Sequence, residues 1–350
     1  MIKNNFKNKK KKVFVGMSGG VDSSVAALLL KKKGYEVVGV FIKVWQPDFI
    51  ECTWKEDRRD AMRVCAQLEI PFLTLDLEKE YKEGVIDYMI DEYKSGRTPN
   101  PDVFCNKEVK FGAFLDWALK NGADLVATGH YAQNKNDFLY KAKDPTKDQS
   151  YFLWTLNKKQ LAKIVFPIGS LLKSEIRDIA IKNNLATAKK KDSQGLCFIG
   201  KIDVKDFLRQ YIKNKKGDIC DFETKKKIGK HDGIFFYTIG EKINGKYVLE
   251  KDLEKNILYV SDSFQNKKEG EIVLEKANFI TQIQKGKLYS VQERYHAREI
   301  KIKIKNLKKI KEEIHIKYEL ISKENNFIYT EGQSLVFFDK NKLIGGGIMK

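Results

Sequence analysis

The sequence is poor in the residues that build metal sites and disulfide frameworks. Its 350 residues include five cysteines and four histidines. No two cysteines have the Cys-x-x-Cys spacing of a structural zinc site, and the histidines stand apart from one another. An odd number of cysteines also argues against a framework of paired disulfides. We therefore expect no metal centre, and we interpret each cysteine as a small buried group or a reactive thiol.

Long apolar runs and export signals are missing as well. No run approaches the roughly 18 apolar residues of a membrane span, and the lysine-rich start lacks the apolar core of a signal peptide. We expect a cytoplasmic protein without a membrane partner.

Arginine is also scarce, since eight of the 66 basic residues are Arg. The net charge of +19 suits a polyanionic partner such as nucleic acid, although drift toward Lys, Asn and Ile explains part of it.

The chain divides into an alternating first part and a β-rich second part. Apolar runs at 13–15, 37–42, 72–75 and 124–128 alternate with helical patterns, which is typical of a doubly wound parallel sheet. From Asp206 onward, short alternating segments indicate a small β domain and then a β-barrel. We predict four regions: a flexible basic arm over 1–12, an α/β domain over 13–211, a small central domain over 212–280 and a C-terminal β-barrel over 281–350.

The most informative string is Ser18-Gly19-Gly20-Val21-Asp22-Ser23-Ser24, which lies between a strand pattern and a helix pattern. Glycines let the backbone approach an anion, and the free N–H groups at a helix start point at it. The string lacks the Gly-Lys-Ser/Thr ending of a Walker loop, which disfavours an ordinary kinase or NTPase site. It matches the PP-loop signature instead, found in enzymes that cleave ATP between the α and β phosphates. A Gly/Ser turn without a ligand is the alternative.

Cys105 closely follows two prolines. Proline restricts the backbone and removes a donor, which predicts a stiff loop rather than regular helix over Gly96–Lys107. Arg97 and Lys107 flank the thiol, and positive neighbours lower the pKa of a cysteine. Asp102 could accept or donate a proton beside it. A buried, unreactive cysteine is an equally good interpretation.

Cys197 follows the lysine run 189–191, and Gly195 and Gly200 on either side permit sharp turns. A thiol on such a loop fits a reactive role, and the loop could close over a site. A packed, apolar cysteine is again an equal alternative. Cys65 lies on the apolar face of a predicted helix, so we expect it in the core.

Two segments combine charge and aromatic rings as RNA-binding surfaces do. The first, 144–154, contains Lys147-Asp148-Gln149, and the second is Arg294-Tyr295-His296. An ordinary loop explains the first segment equally well. His130 follows a strand end, where it either approaches a ligand or makes a structural hydrogen bond.

Together these strings resemble the tRNA-specific 2-thiouridylases of the MnmA type, which are PP-loop enzymes. The resemblance extends nearly end to end, and the two cysteine-bearing strings are its most specific parts. It implies ATP-dependent 2-thiolation of the wobble uridine, position 34, of tRNA. ATP would adenylate the uridine 2-oxygen with release of pyrophosphate, and sulfur from a cysteine persulfide would then displace AMP. The residues implied to bind ATP are Gly16, Met17, Ser18, Gly19, Gly20, Val21, Asp22, Ser23, Ile42 and Gly129.

The resemblance also implies roles for the cysteines and partners. Cys105 would be the nucleophile, Cys197 would carry the persulfide, and a transient disulfide between them would resolve the sulfur species. Asp102 would act as general acid or base. The implied tRNA contacts are Asn100, Pro101, Asp102, Lys147, Asp148, Gln149, Arg294 and Tyr295. Magnesium would accompany ATP, the tRNAs for Lys, Glu and Gln would be substrates, and a cysteine desulfurase or sulfur-relay protein would supply the persulfide.

One string departs from the family pattern. Family members usually carry a Gly-Gln-Arg-Lys-Gly-Leu-like string after Tyr-x-x-Gly, whereas here Gly240 is followed by Glu-Lys-Ile-Asn-Gly. Two other functions stay open. A different PP-loop ligase, such as a tRNA lysidine synthetase or an amidotransferase-type synthetase, would need neither cysteine. A tRNA-binding protein with an inactive ATP site is the non-enzymatic alternative, against which the intact Ser18–Ser24 string argues.

Overall fold

The computed structural model describes residues 10–49, 54–192, 203–263, 269–321 and 327–350. The strands in chain order are β1 Lys12–Gly16, β2 Glu36–Lys43, β3 Phe72–Asp76, β4 Leu125–Ala127, β5 Ala132–Lys135, β6 Phe138–Lys141, β7 Ile164–Val165, β8 Gly217–Asp221, β9 Lys227–His231, β10 Lys242–Ile243, β11 Lys246–Asp252, β12 Ile257–Ser261, β13 Glu269–Phe279, β14 Leu288–Gln292, β15 Ile300–Ile310, β16 Glu313–Leu320, β17 Ser334–Asp339 and β18 Lys342–Met349. The α-helices are α1 Val21–Lys32, α2 Trp54–Gln67, α3 Glu78–Tyr81, α4 Tyr88–Lys94, α5 Pro101–Phe104, α6 Phe114–Lys120, α7 Lys158–Leu161, α8 Lys173–Lys182 and α9 Val204–Arg209. The remaining helical segments are the π-helices Lys82–Asp87 and Cys105–Ala113 and the 3-10 turns Ser150–Leu153 and Ile234–Phe236. No helix in these ranges is long and apolar enough to cross a membrane.

The first sheet is parallel and has the strand order β3-β2-β1-β4-β7. The chain builds one side of the sheet outward from β1 and then returns to build the other side. Such a doubly wound sheet opens a crevice at the carboxyl ends of its central strands, here β1 and β4. Val13, Val15 and Val40 are fully buried, as expected for a sheet covered on both faces. The predicted doubly wound domain is confirmed.

A continuous helical segment runs from Pro101 to Lys120, made of α5, a π-helix and α6. The side-chain oxygen of Asn100 caps it by accepting a hydrogen bond from the Val103 N–H at 3.4 Å. Pro101 takes the first helical position, where no backbone donor is needed. The prediction of a loop over Gly96–Lys107 is therefore wrong from Pro101 onward, because proline is excluded from the interior of a helix but is favoured in its first turn.

The second half of the chain is rich in antiparallel pairs. The central sheet has the order β10-β11-β12-β8-β9 and a small core around Val248, Leu258 and Val260. Beyond it, β13, β16, β15, β14, β17 and β18 pair in that order, and β13 also pairs with β18, which closes the ring. The predicted C-terminal β-barrel is confirmed, whereas the predicted domain boundaries stay predictions.

The barrel is joined to the first domain through strands and through backbone contacts. The β5–β6 hairpin extends the barrel sheet beyond β18. Gly332 has φ +88, and a Cβ there would lie 2.9 Å from the Thr98 nitrogen, so no other residue fits this approach. The Thr98 N–H donates to the Glu331 carbonyl at 2.9 Å, and the Gln333 side-chain amide donates to the Thr98 carbonyl at 3.0 Å. The barrel thereby fixes the segment that enters α5.

Candidate active site

The loop between β1 and α1 is shaped to hold an anion, and we call residues 18–24 together with Gly129 the anion cradle. Helix α1 begins without a side-chain cap, so N–H groups of its first turn are left for another acceptor. The Ser23 hydroxyl donates to the Gly20 carbonyl at 3.2 Å and accepts from the Ser18 N–H at 3.2 Å. These bonds fix the conformation of the turn.

Two glycines allow the close backbone approaches of the anion cradle. Gly19 has φ +74, and a Cβ there would lie 2.2 Å from the Asp57 carbonyl oxygen. A Cβ on Gly129 would lie 2.7 Å from the Ser23 nitrogen. Gly129 directly follows Thr128 at the end of β4, which places the anion cradle at the carboxyl ends of β1 and β4. This is the crevice expected for a ligand in a doubly wound sheet.

A set of ion pairs adjoins the anion cradle. The Asp22 carboxylate accepts hydrogen bonds from Lys173 Nζ at 2.8 and 2.9 Å. The same ammonium lies 2.9 Å from Asp192, whose carboxylate also binds Arg177 at 2.5 Å and Lys147 at 2.9 Å. Partial burial would raise the pKa of Asp192, but the hydrogen bonds from Lys147 and Lys173 lower it to about 2. Asp192 is therefore an anion at any physiological pH.

A cavity of about 320 Å³ lies where the first domain, α9 and the barrel meet, and we call it the interdomain cavity. Its lining residues are Met89, Tyr93, Thr98, Pro99, Asn100, Pro101, Asp102, Phe152, Val204, Arg294, Tyr295 and Gln333. The structure thus brings together two predicted groups, Asn100–Asp102 and Arg294–Tyr295, that lie far apart in the sequence. The volume and the mixture of rings and polar groups suit a small planar ligand.

Cys105 is fully buried three residues after the cavity-lining Asp102, in the same helical segment. Cys105 does not itself line the cavity, but it lies three residues beyond Asp102, which does. The cations that were expected to flank the thiol are paired with carboxylates. Arg97 Nε lies 2.9 Å from Glu92, and Lys107 Nζ lies 2.7 Å from the adjacent glutamate. The geometry gives no support to activation of Cys105 by these two cations.

One helical segment connects the two sites. It starts at the interdomain cavity with Pro101 and continues to Phe114, whose ring would lie 3.5 Å from a Cβ on Gly16 at the end of β1. The same helical segment therefore contacts both the interdomain cavity and the end of β1.

Comparison with known proteins identifies the chain. A family model described as "tRNA methyl transferase HUP domain" matches residues 11–201, and one described as "tRNA methyl transferase PRC-barrel domain" matches 205–262. The "tRNA-specific 2-thiouridylase MnmA" of Oceanobacillus iheyensis is 43% identical, covering 97% of this chain and 95% of its own length. The protein with the same name from Halalkalibacterium halodurans is 45% identical, covering 96% and 94%. The chain belongs to the MnmA family of tRNA-specific 2-thiouridylases.

The residues for which the MnmA resemblance implies ATP binding lie at one end of the parallel sheet. Gly16 ends β1, Met17 follows it, and the Met17 N–H donates to the Val40 carbonyl of β2 at 2.8 Å. Ile42 is buried near the end of that same strand. Gly129 closes the far side through its contact with Ser23. Their role as ATP ligands stays a prediction, but their placement in one crevice is what that role requires.

The consecutive residues Lys147, Asp148 and Gln149, which were also expected to bind tRNA, make internal contacts. Lys147 binds Asp192, as described above. The Asp148 carboxylate accepts from the Ala142 N–H at 2.8 Å and from the Ser150 hydroxyl at 2.8 Å, and its burial raises its pKa. The Gln149 side-chain oxygen accepts from the Tyr131 N–H at 3.0 Å. Asp148 and Gln149 therefore shape the turn, and their contact with tRNA in MnmA enzymes stays a prediction for this chain.

The second group expected to bind tRNA presents an aromatic stack. Tyr295 lies 4.3 Å from the Phe152 ring and 3.9 Å from the His296 ring, centroid to centroid. Burial, with Asp148 and Asp102 nearby, raises the pKa of Tyr295 to about 12, so the phenol is neutral at physiological pH. The ring borders both the interdomain cavity and a larger cleft of about 550 Å³ between residues 141–148 and the barrel.

Some predicted residues have an ordinary structural role, and one lies outside the described ranges. Cys197, the expected persulfide carrier, falls outside the described residues, so its role stays a prediction. Cys65 is fully buried against Gly39, and burial raises its pKa to about 12, which confirms the core thiol. His130 is buried, with Nδ1 2.7 Å from the Thr128 hydroxyl, and burial holds its pKa well below its ordinary value. The structural alternative for His130 is therefore favoured.

Sequence reasoning missed Lys173, Tyr131 and Gln333, which the structure places at the two sites, and it missed the buried Glu293. The Tyr131 hydroxyl donates to Asp22 at 2.6 Å. Glu293 is 5% exposed, its Oε2 has no hydrogen-bond partner among the described residues, and burial raises its pKa to about 7. No local pattern marks these residues, because each meets its partners only through the tertiary fold.

Proposed function

We propose that this chain catalyses ATP-dependent 2-thiolation of the wobble uridine, position 34, of tRNA. The observation that carries the proposal is the helical segment described above, which starts at the interdomain cavity, contains Cys105 three residues beyond the cavity-lining Asp102, and contacts Gly16 at the end of β1, just before the anion cradle. A site that activates a base with ATP and then attacks it with sulfur needs a phosphate cradle, a base pocket and a thiol in one crevice.

Adenylation is the first step of the proposed reaction. The 2-oxygen of the uridine attacks the α-phosphorus of ATP, the bond from that phosphorus to the β-phosphate bridging oxygen breaks, and pyrophosphate leaves. The N–H groups of the anion cradle would stabilise the charge that develops on the departing phosphates. The carbonyl oxygen, a poor leaving group, becomes part of AMP, a good one.

Sulfur transfer follows. The terminal sulfur of a persulfide on Cys197 attacks C2, and AMP leaves with the former carbonyl oxygen. The Cys105 thiolate then attacks the Cys197 sulfur, which releases 2-thiouridine and forms a disulfide between the two cysteines. An external dithiol returns both cysteines to the reduced state. Burial of Cys105 would protect it from unrelated oxidants between turnovers.

The interdomain cavity would receive the target base. A wobble uridine must leave its stack to reach a buried pocket, and an aromatic face repays part of that cost. Tyr295 supplies the aromatic face, and Asn100 and Asp102 supply polar groups at the start of the helical segment that contains Cys105. Asp102 would exchange a proton with the uracil N3 or with the attacking sulfur.

Magnesium would enter with ATP. The described residues contain no group of three or more His, Cys, Asp or Glu side chains that could hold a metal ion. This fits Mg²⁺, which is commonly held by one or two carboxylates together with nucleotide phosphates. Asp22 is the carboxylate inside the anion cradle and would be its protein ligand. Bound there, the ion would neutralise phosphate charge.

The substrates would be the tRNAs for Lys, Glu and Gln, and a cysteine desulfurase or a sulfur-relay protein would supply the persulfide. The net charge of +19 supports a tRNA partner, because lysines gain affinity by releasing counterions from phosphates. The family models carry the description of a methyl transferase, but a PP-loop and a buried cysteine at the base cavity have no evident use in methyl transfer. We therefore favour the activity in the relatives' names.

A reconstituted assay tests the proposal. The purified chain is incubated with unmodified tRNA, ATP, Mg²⁺ and a cysteine desulfurase with cysteine, and the nucleosides are analysed by mass spectrometry. We expect 2-thiouridine at position 34 with one AMP released for each sulfur inserted. Lysidine, an amidated product, or tight tRNA binding without AMP would favour one of the alternatives. Methylated uridine that depends on S-adenosylmethionine would support the description of the family models.

A further inference from the structure

We propose that Lys173 is a phosphate-binding residue of the anion cradle, and that it contacts the pyrophosphate part of ATP while Asp192 holds it in place. The inference rests on the proposed function, because it names a further residue of the same ATP site. It begins with an electrostatic conflict within the anion cradle. Asp22 places a carboxylate in the first turn of α1, where an incoming polyphosphate must also bind. The two negative charges would repel each other there.

Lys173 supplies a positive charge that offsets this repulsion. Its Nζ makes two hydrogen bonds to Asp22, at 2.8 and 2.9 Å, and its side chain is only 14% exposed. The Tyr131 hydroxyl donates to the same carboxylate at 2.6 Å, and Lys173 Nζ lies 5.6 Å from the centre of the Tyr131 ring. Both contacts aim the ammonium at the loop.

The backbone of Lys173 is fixed independently of its side chain. It is the first residue of α8, and its N–H donates to Asp144 at 3.0 Å. Arg177 lies four residues later, on the same face of α8, and binds Asp192 at 2.5 Å. Asp192 in turn lies 2.9 Å from Lys173 Nζ. When a phosphate replaces Asp22 as the partner of the ammonium, Asp192 would keep Lys173 from moving away.

Lys190 provides a matched comparison on the other side of the loop. Its ammonium also binds two carboxylates, Asp57 at 2.7 Å and Asp60 at 2.7 Å, and its side chain is 29% exposed. Both partners belong to α2, and neither is a residue of the anion cradle. Removing Lys190 subtracts the same charge from the same region without removing a group bound to the loop.

Binding measurements by calorimetry without Mg²⁺ test the inference, with ATP, pyrophosphate and AMP as ligands. We expect Lys173→Gln to weaken ATP and pyrophosphate by about 10- to 100-fold, the range for charged hydrogen bonds, and AMP by less than about threefold. Lys190→Gln should change all three by less than about threefold, and Lys173→Arg should restore part of the loss. Equal affinity of Lys173→Gln and the unaltered chain for pyrophosphate would overturn the inference.

A double variant separates direct phosphate contact from simple neutralisation of Asp22. If Lys173 contacts phosphate, Asp22→Asn combined with Lys173→Gln should still bind pyrophosphate weakly. Recovery of full affinity in the double variant would show that Lys173 merely neutralises Asp22, and would overturn the inference.

Acetylation footprinting of the unaltered chain needs no folded variant. Pyrophosphate should protect Lys173 and leave Lys190 reactive, whereas equal labelling of Lys173 with and without pyrophosphate contradicts the proposal. Protection of Lys173 in a chain that makes no 2-thiouridine would retain this inference and reject the proposed function.

Discussion

The anion cradle and the interdomain cavity are built in opposite ways. The anion cradle is made mainly from one short stretch, residues 18–24, and its shape depends on backbone conformation and on the absence of side chains at Gly19 and Gly129. The interdomain cavity is made from side chains that three parts of the chain contribute. The first kind of site can be read from a motif, while the second becomes visible only when the domains are assembled.

The contrast assigns a different task to each site. The anion cradle offers backbone donors and ion pairs, which suit phosphates of any nucleotide. The interdomain cavity offers an aromatic face, an amide and a carboxylate, which suit one particular base. If the division is real, each site can be disabled while the other continues to work.

The largest effect is expected at Cys105. Cys105→Ser should lower 2-thiouridine formation by about 10³-fold or more, because the serine hydroxyl cannot replace a thiolate in sulfur exchange. Release of pyrophosphate that depends on tRNA should persist for one turnover, because the anion cradle is intact. Cys220→Ser, a second buried cysteine in β8, is the control and should act within about twofold of the unaltered chain. Normal thiolation by Cys105→Ser would remove the thiol from the mechanism.

Gly19→Ala should impair the use of ATP and leave the interdomain cavity intact. The new Cβ would lie 2.2 Å from the Asp57 carbonyl, so the loop must shift, and we expect at least about a 100-fold loss in kcat/KM for ATP. Affinity for tRNA should change little. Gly122→Ala is a matched control, because Gly122 also has positive φ but has nothing within 4 Å of its Cβ position. It should cost only about 1 kcal/mol of stability and no activity. Equal behaviour of the two variants would contradict the structural account of the loop.

Tyr295 tests the interdomain cavity with a smaller effect. Tyr295→Ala should raise the KM for tRNA by about 10- to 100-fold, since stacking on one base is worth about 1–3 kcal/mol. Tyr295→Phe keeps the ring and should stay within about threefold. Neither substitution should alter the KM for ATP. A loss in Tyr295→Phe as large as that in Tyr295→Ala would mean that the hydroxyl, and not the ring, is the important group.

Glu293 gives the smallest effect, in stability rather than in turnover. Burial raises its pKa to about 7, above the unfolded value of 4.5. Below pH 4.5 the carboxyl is protonated in both the folded and the unfolded chain, and its burial does not lower the free energy of unfolding. As the pH rises from 4.5 through 7, the unfolded chain ionises more readily, and the folded chain loses stability relative to it. Glu293→Gln should be about 1–3 kcal/mol more stable than the unaltered chain at pH 8, with the gain vanishing below about pH 4.5. Thermal unfolding across this range measures the difference, with the exposed Glu250→Gln as control. A gain that does not depend on pH would contradict the shifted pKa.

Sequence reasoning succeeded for structural features that depend on residues close together in the sequence. The Ser18–Ser24 string predicted a turn that leads into a helix, and the strand and helix patterns predicted the doubly wound sheet, because both depend on neighbours within a few residues. It failed over Pro101–Lys107, since two prolines were taken to exclude a helix that in fact begins at the second of them. It could not find Lys173, because 151 residues separate that lysine from Asp22.

Sequence reasoning also failed to predict which charged side chains pair with each other. Arg97 was expected to activate Cys105 because the two are close in sequence, but its guanidinium binds Glu92 and Glu275 instead. Glu275 belongs to β13, a strand of the barrel. A side chain chooses its partner by position in the folded molecule, so a basic flanking residue in the sequence is weak evidence for an activated thiol.

An oxygen-labelling experiment tests the central claim most directly, namely that the two sites act on one uridine oxygen. A tRNA carrying ¹⁸O at the 2-position of the wobble uridine is incubated with the chain, ATP, Mg²⁺ and a persulfide donor, and the AMP released is analysed by mass spectrometry. The account predicts one ¹⁸O atom in the phosphate of each AMP molecule and sulfur at C2 of the same uridine. Appearance of ¹⁸O in water, or thiolated tRNA accompanied by unlabelled AMP, would contradict it.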